Sequence, residues 1–421
     1  MSRVSWIVPL LALGLAGPRP AEAWDEFSDA RTPPRFVLRA GTLSLTFKGE
    51  LEVELHDVDG RGGPGHDSPT DTKTLGTRSP FVELDSFWVA LRLGIGEHVG
   101  IFSFMDFRPE GSRLGAAWLD LDIVGPSWLR HHLEAGYNSP FVAMDRRTER
   151  YPLQATAWWR EPELHLVYEA RFTLLTRLHL DAGVSLAMMR PLTLAGVQDS
   201  TAHPGTINIL GLGPARPFSG NGPVGGARLG LDAWGARVEV FGVLGRMAAE
   251  GGTDVLRSAF PNYRFLPGDR GSDRHGAFAW AGGRAGYEDH GVRVLLEGIL
   301  AREDLLTRWG ACAQASYEIA LPGWQGWLPA LEPLLRVETL RILDGDRPRD
   351  GHALRSPALA NAASWDYDVL TVALIARVYR DLVRLRVEYS FIREHNGVPA
   401  LEVAGEPFRN DELLVQAEVR F

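Results

Sequence analysis

Cysteine, lysine and long apolar runs are all scarce in this chain of 421 residues. Cys312 is the only cysteine, so no disulfide within the chain can stabilise the fold. After residue 23, no apolar stretch reaches the roughly 20 residues that a membrane-spanning helix requires. The net charge of −9 is spread along the chain without a basic cluster, and this excludes nucleic acid as an expected partner.

Motifs for catalysis and metal binding are also missing. The chain has no Gly-x-Ser-x-Gly elbow, no His-Glu-x-x-His pair and no phosphate-binding loop. The carboxylates between Asp57 and Pro80 lack the spacing of a known calcium loop. His131 and His132 are adjacent on a predicted strand, so their side chains face opposite ways and cannot chelate one ion together. We therefore predict neither an enzyme nor a bound metal or cofactor.

The first residues have the pattern of a secretory signal. Arg3 supplies a positive start, residues 4–17 are apolar, and Ala21 and Ala23 occupy the positions that a signal peptidase reads. We therefore expect a signal peptide over residues 1–23, a short periplasmic segment over 24–42 and a single barrel domain over 43–421.

What the sequence does contain is strict alternation of apolar and polar residues. In residues 43–56 the odd positions are apolar, as at Leu45 and Phe47, and the even positions are polar, as at Glu52 and Glu54. Hydrophobic residues make up 45% of the chain, yet the mean hydropathy is −0.10, because polar residues lie between them. This pattern is typical of a strand with one face on lipid and the other in water. It recurs in residues 163–172, 177–188, 292–300 and 384–391.

The alternation predicts an all-β fold, a transmembrane antiparallel β-barrel of about sixteen strands. The strands at 81–94 and 98–107 alternate poorly. The connection at 303–305 is shorter, and that at 320–330 longer, than the pattern requires, so fourteen or eighteen strands also remain compatible. The predicted spans are 43–56, 81–94, 98–107, 115–124, 129–138, 162–172, 176–188, 224–233, 236–248, 276–287, 291–302, 306–319, 331–343, 366–379, 382–394 and 411–421.

The connections indicate which end of the barrel faces which compartment. Most odd-to-even connections are long, and most even-to-odd connections are tight. In bacterial barrels the long loops are extracellular and the short turns periplasmic. We therefore expect the bacterial outer membrane as the location, its lipid as a partner, and both termini in the periplasm. Tryptophans near strand ends are expected at the lipid headgroups: Trp88, Trp118, Trp128, Trp158, Trp159, Trp309 and Trp365.

The last predicted strand ends in an outward apolar row. Val415, Val419 and Phe421 share one face, and Tyr389 lies on the same face of the preceding strand. This strand resembles the recognition strand of outer-membrane barrels, whose last residue is usually Phe. The resemblance implies a barrel-insertion signal at Tyr389, Val415, Val419 and Phe421, read by the barrel-assembly machinery. An ordinary edge strand of a soluble protein is the alternative.

Two short stretches are similar to the phosphate-selective porin family. The first is Leu133–Phe141, which reads LEAGYNSPF, and the second comprises the last two predicted strands. The resemblance implies a passive channel, usually trimeric, for phosphate or other small anions, and a third outer loop that folds into the pore. We therefore expect diffusion of small hydrophilic solutes, anionic or neutral. A barrel without a channel, such as an enzyme, adhesin or scaffold, is the alternative.

Two sets of charged residues are candidate functional groups. The first set lies in the third outer loop: Asp145, Arg146, Arg147, Glu149, Arg150 and Arg160. Its balance is basic, which at a constriction would favour anions. The alternative is that these are the ordinary charges of a solvated loop. The second set consists of arginines on the wet face of the strands, which either line the lumen or form ion pairs that hold the wall: Arg171, Arg177, Arg293, Arg336, Arg384 and Arg386.

Overall fold

The computed structural model describes most of the predicted barrel. Residues 1–23, the expected signal peptide, lie outside the described residues. Among the described residues, no helix is long and apolar enough to span a membrane. The described residues are 36–58, 80–96, 98–108, 111–138, 142, 153, 158, 163–189, 192–194, 210–212, 222–246, 277–303, 306–324, 326–343, 365–379, 382–396, 408–409 and 411–421.

Sixteen long strands form the barrel within these residues. They are β1 Leu43–Val58, β2 Phe81–Ile95, β3 Val99–Arg108, β4 Gly111–Val124, β5 Leu129–Asn138, β6 Glu163–Leu175, β7 Leu178–Met189, β8 Gly222–Ala233, β9 Ala236–Arg246, β10 Ala277–Asp289, β11 Val292–Glu303, β12 Leu306–Tyr317, β13 Ala330–Ile342, β14 Trp365–Val378, β15 Val383–Asn396 and β16 Glu412–Arg420. Shorter elements are the strands Phe36–Ala40, Leu192–Leu194, Leu210–Leu212, Ile319–Ala320 and Phe408–Arg409 and the 3-10 turn Pro322–Trp324.

Each long strand pairs antiparallel with the next, and β16 pairs with β1 from Glu50–Arg420 to Val58–Glu412, which closes the barrel. The predicted fold and strand count are therefore confirmed. The two connections that fitted poorly are features of the barrel itself. Glu303 pairs directly with Leu306, so only two residues connect β11 to β12. The short strand Ile319–Ala320 and the turn Pro322–Trp324 lie in the longer connection before β13.

The two faces of the wall differ in polarity as the alternation predicts. On β11, Leu296 and Leu300 are about half exposed on the outer surface, whereas Arg293 and Glu297 are buried inside. The closed sheet pairs its backbone groups with one another, and the outer face is apolar, so the wall is suited to hydrocarbon, where unpaired N–H and C=O groups are too costly.

The weak alternation of β2 and β3 has a physical cause. On β2, β3 and β4 the inward face also carries apolar side chains, including Ala90, Phe104, Ala116 and Trp118, all of which are buried. Phe102 lies over Trp118 with ring centroids 3.9 Å apart. Because part of the inward face is apolar here, like the outward face, the polarity difference on which the sequence pattern depends is weakened.

Several tryptophans lie away from the expected headgroup positions. Trp128 is exposed at a short turn, as predicted. Trp88 and Trp118 instead face inward, where their indole N–H groups donate to Glu50 at 3.1 Å and Asp120 at 2.7 Å. Trp158 is also buried. The girdle prediction is thus wrong for these three, because proximity to a strand end does not specify which face a side chain occupies.

A short strand precedes the barrel within the segment that was expected to lie outside it. Phe36–Ala40 pairs antiparallel with the start of β1, from Phe36–Phe47 to Ala40–Leu43. β16 reaches β1 only as far as Gly49, where Phe421 exchanges two backbone hydrogen bonds with it, at 2.8 and 2.9 Å. The two segments therefore occupy the same edge of β1, one after the other.

Candidate functional site: the barrel interior and its inward loop

The interior of the barrel contains part of the connection between β5 and β6, which is the third outer loop. Its three described residues are Val142, Leu153 and Trp158, and each of them is at most 2% exposed. All three contact charged side chains on the inner face of the wall formed by β10–β13. The loop thus lies inside the barrel at these positions, as the family resemblance implies.

Arg284 on β10 is the first contact between loop and wall. Its Nη2 donates to the carbonyl oxygen of Val142 at 2.8 Å. The same guanidinium donates through Nε to Glu297 at 2.6 Å and lies 3.4 Å from Glu239. These two carboxylates are on the neighbouring strands β11 and β9, directly across from Arg284. Arg284 therefore offsets part of the charge of two buried wall carboxylates and also holds the loop through Nη2.

Glu338 on β13 is the second contact. One carboxylate oxygen accepts the backbone N–H of Leu153 at 2.7 Å, and the other accepts from Nε of Arg336 at 2.8 Å. Arg336 is fully buried beside it. Because Arg336 fixes the carboxylate group, the oxygen that accepts from Leu153 is held toward the loop backbone.

Arg308 on β12 makes the third contact. Its guanidinium carbon lies 5.2 Å from the centre of the Trp158 ring, within the range of a cation–π interaction. Arg308 is near the end of its strand that lies at the same end of the barrel as the β5–β6 connection, whereas Arg284 and Glu338 lie further from that end on their strands. The contacts thus run from the middle of the barrel toward its outer end.

The structure places five of the six predicted lumen arginines on the inner face, each beside a carboxylate. Arg177 differs, because it lies exposed in the turn between β6 and β7 rather than on a strand. The others form the following pairs: Arg171 with Asp181 at 2.7 Å, Arg293 with Glu332 at 2.8 Å, Arg336 with Glu338 at 2.8 Å, Arg384 with Glu418 at 3.7 Å and Arg386 with Glu388 at 3.5 Å. These contacts favour ion pairs that hold the wall.

The seam where the barrel closes is also held by polar side chains. Gln416 on β16 donates to Glu54 on β1 at 2.6 Å, and Arg420 donates to Glu50 at 3.0 Å. Gln416 in turn accepts from Arg386 on β15. Three consecutive strands are thereby linked across the closure.

The predicted loop charges Asp145, Arg146, Arg147, Glu149, Arg150 and Arg160 all lie outside the described residues, so their role stays a prediction. Sequence reasoning missed Arg284 and Arg308 as contacts of the loop. Alternation along β10 and β12 could have assigned both to the inner face. It could not have indicated which of many inward charges meets a loop from the far side of the barrel.

An apolar outer face, a charged interior and an inward loop define the class: this is a membrane-spanning β-barrel of the bacterial outer membrane with a porin-like fold. Solved structures with this fold include the outer-membrane channel DcaP of Acinetobacter baumannii, OprB of Pseudomonas putida and OmpF of Salmonella typhi in complex with daunomycin. Each is 10% identical to this chain, with a TM-score of 0.52.

The matches cover 91%, 90% and 92% of this chain and 99%, 94% and 100% of those chains, in the same order. Neither a protein-family model nor a curated protein matches the sequence. At this identity the likeness shows the fold. The closer relation to phosphate-selective porins therefore remains a proposal that rests on the Leu133–Phe141 motif.

Proposed function

We propose that this protein is a channel of the bacterial outer membrane through which small hydrophilic solutes diffuse passively. The observation that carries the proposal is the loop held inside a charged barrel by Arg284, Arg308 and Glu338. A loop held against the inner wall at these three positions narrows the lumen beside it. A narrowed, charged passage selects solutes by size and sign.

Hydration of the end with the short turns supports this proposal. There Arg92 and Asp122 point into the barrel, with side chains 52% and 43% exposed. The side chain of Glu288 on β10 is 51% exposed near the same end. Charged groups so open to solvent are compatible with a wet mouth.

A bias toward anions, and toward phosphate in particular, is the finer part of the proposal. It rests on the basic balance of the third loop, with Arg146, Arg147 and Arg150, and on the family resemblance. That resemblance also supports assembly as a homotrimer and insertion by the barrel-assembly machinery.

Planar bilayers containing the purified protein test the proposal. We expect discrete conductance steps and, across a salt gradient, a reversal potential of the sign that anion selectivity requires. Arg284→Gln should release the loop at Val142 and alter the conductance. Arg293→Gln is the matched control, because Arg293 is similarly buried beside several carboxylates but has no described loop contact.

Each part of the proposal can fail separately. Absence of conductance from protein that is folded and inserted would contradict the channel. Cation selectivity would contradict the anion bias. Equal effects of the two arginine variants would mean that the loop contact does not set the conductance.

Joint replacement of Arg146, Arg147 and Arg150 by Ala should shift the reversal potential, and an unchanged value would remove these residues from the mechanism.

The second candidate is a barrel without a channel, such as an enzyme, adhesin or scaffold. It is favoured by the burial of Arg308 and Arg336, which are 1% and 0% exposed. Side chains this deeply covered mean that the interior is filled on the β12–β13 side. A barrel filled in this way across its whole width would give no conductance in the same bilayer measurement.

A further inference from the structure

Three potential metal ligands meet on the inner wall near the short-turn end. Asp120 lies on β4, and His132 and Glu134 lie on β5. One ligand atom from each lies within 4.8 Å of the others. Alternation along β5 places His132 and Glu134 on the same face, and the strand pairing sets Asp120 directly opposite Glu134.

The imidazole is already oriented for metal binding. Nδ1 of His132 lies 2.9 Å from Asp122, which fixes the ring and leaves Nε2 directed toward Asp120, 3.9 Å away. A carboxylate on the far nitrogen of a histidine is the usual arrangement in protein zinc sites, where it fixes the tautomer and raises the basicity of the ligand.

The two carboxylates are held in the same manner. Asp120 accepts from the Trp118 indole at 2.7 Å, and Glu134 accepts from His165 at 2.6 Å and Asn138 at 3.0 Å. Both contacts of Glu134 are made to Oε1, so Oε2 can serve as a ligand. Oδ1 of Asp120, which accepts from Trp118, is also the oxygen nearest to Nε2 of His132, and its second lone pair can bind a metal ion.

The charges at this position are compatible with a cation, although His165 lies 2.6 Å from Glu134 and partly balances that carboxylate when the imidazole is protonated. Like charges directly opposite each other on paired strands destabilise a sheet, and Asp120 faces Glu134 in this way with Asp122 close by. Arg92 reaches Asp120 only at 3.8 Å, and its exposed side chain is screened by solvent. A divalent ion between the strands would offset the repulsion.

We propose that Asp120, His132 and Glu134 form a binding site for a divalent transition-metal ion, with Zn²⁺ as the best fit. One imidazole with two carboxylates suits zinc, and a water completes its four ligands. Zinc–ligand bonds of about 2.0 Å place tetrahedral ligand atoms roughly 3.3 Å apart. The side chains therefore need to close from at most 4.8 Å, which small rotations on two adjacent strands can supply.

The consequence for transport rests on the proposed channel. An ion bound here adds positive charge to the lumen wall near the periplasmic mouth. Zinc should therefore lower the permeability to cations relative to anions. The site itself requires only the barrel wall, so zinc binding and conduction can be tested separately.

Calorimetric titration of the full chain, folded in detergent, with ZnCl₂ tests the site. We expect one ion to bind per chain, and His132→Ala to weaken binding at least tenfold. Asp122→Asn should weaken it by about 10–100-fold, as loss of a carboxylate behind a ligating histidine typically does. His131→Ala is the matched control, because this neighbour faces outward beside the Tyr168 hydroxyl, 2.6 Å away.

Failure of wild-type protein to bind zinc, or wild-type affinity in His132→Ala, would overturn the site. If His132→Ala does not fold, zinc X-ray absorption of the wild-type protein decides, since the spectrum must contain one imidazole and otherwise oxygen ligands. Wild-type protein that conducts without binding zinc would contradict this inference alone. Protein that binds zinc without conducting would contradict the channel alone.

Discussion

At the scale of single residues, the interior shows how a barrel holds charge away from bulk water. Arg284, Arg293 and Arg336 are each at most 9% exposed and each touches at least one carboxylate. Removing one partner of such a pair leaves the other as an uncompensated buried charge, which is strongly destabilising. The wall arginines are thus constrained by their partners, and variants that remove them require the matched controls described above.

Phe421 is the residue for which stability can be tested most directly. Its ring covers Gly49, where an added Cβ would lie 2.3 Å from the ring, and its centroid lies 6.1 Å from those of both Phe47 and Phe87. Two aromatic pairs contribute about 0.5–1.5 kcal/mol each beyond the burial of the ring, so Phe421→Ala should lower the free energy of unfolding by at least about 1–3 kcal/mol. Urea unfolding of the protein in lipid vesicles measures this change.

Phe391→Ala is the control for that prediction. Phe391 is also an outward aromatic, 43% exposed against 38% for Phe421, with one close aromatic neighbour, Tyr389, at 4.6 Å. Its single aromatic pair contributes only about 0.5–1.5 kcal/mol beyond burial, so Phe391→Ala should cost less than Phe421→Ala. Equal costs for the two variants would mean that the packing of Phe421 over the closing strands contributes no more to the free energy of unfolding than the packing of Phe391.

At the scale of elements, the strand Phe36–Ala40 covers an edge that β16 does not reach. Leu43–Phe47 pairs with this strand on one side and with β2 on the other. Deleting residues 36–40 should expose the backbone groups of Leu43–Phe47 on the side that faces the short strand. About half of the amides in Leu43–Phe47 should then exchange faster, because neighbouring residues of a strand form their hydrogen bonds on alternate sides. Hydrogen exchange with mass spectrometry measures this.

The remainder of β1 provides the internal control. Residues 50–58 pair with β16 on that same edge, so the deletion should leave their exchange unchanged. Unchanged exchange in Leu43–Phe47 would contradict the pairing. Faster exchange throughout β1 would instead mean that the short strand supports the whole closure.

Prediction of the elements from sequence succeeded where the two faces differ and was weakest where they do not. The alternation of β1, β6 and β16 placed their inward and outward residues correctly. On β2 and β3 the inward face holds Trp88 and Phe104, so the pattern was poor although the strands are present. The backbone must pair in both cases, but a strand can be recognised from the sequence alone only where its two faces differ in polarity.

At the scale of the whole molecule, the outer face should report its depth in the membrane. Leu296 lies in the middle of β11 and Leu231 near the short-turn end of β8, and both are outward and about equally exposed. Arginine on the lipid face costs about 2–4 kcal/mol at the midplane and about 0–1 kcal/mol near the interface. Urea unfolding in vesicles should therefore show a larger loss for Leu296→Arg than for Leu231→Arg. Equal losses would contradict the membrane position that the strands imply.

Alternation along the chain was enough to predict a closed barrel of about sixteen strands and the two faces of most of them, because pleating turns alternate residues to opposite sides and the membrane allows no unpaired edge. The arrangement of the interior depends on tertiary contacts. The contacts of the third loop with Arg284, Arg308 and Glu338, and the meeting of Asp120 with His132 and Glu134, join residues from different strands. Local alternation specifies a face, whereas partners across a barrel depend on register and closure, which no short stretch of sequence contains.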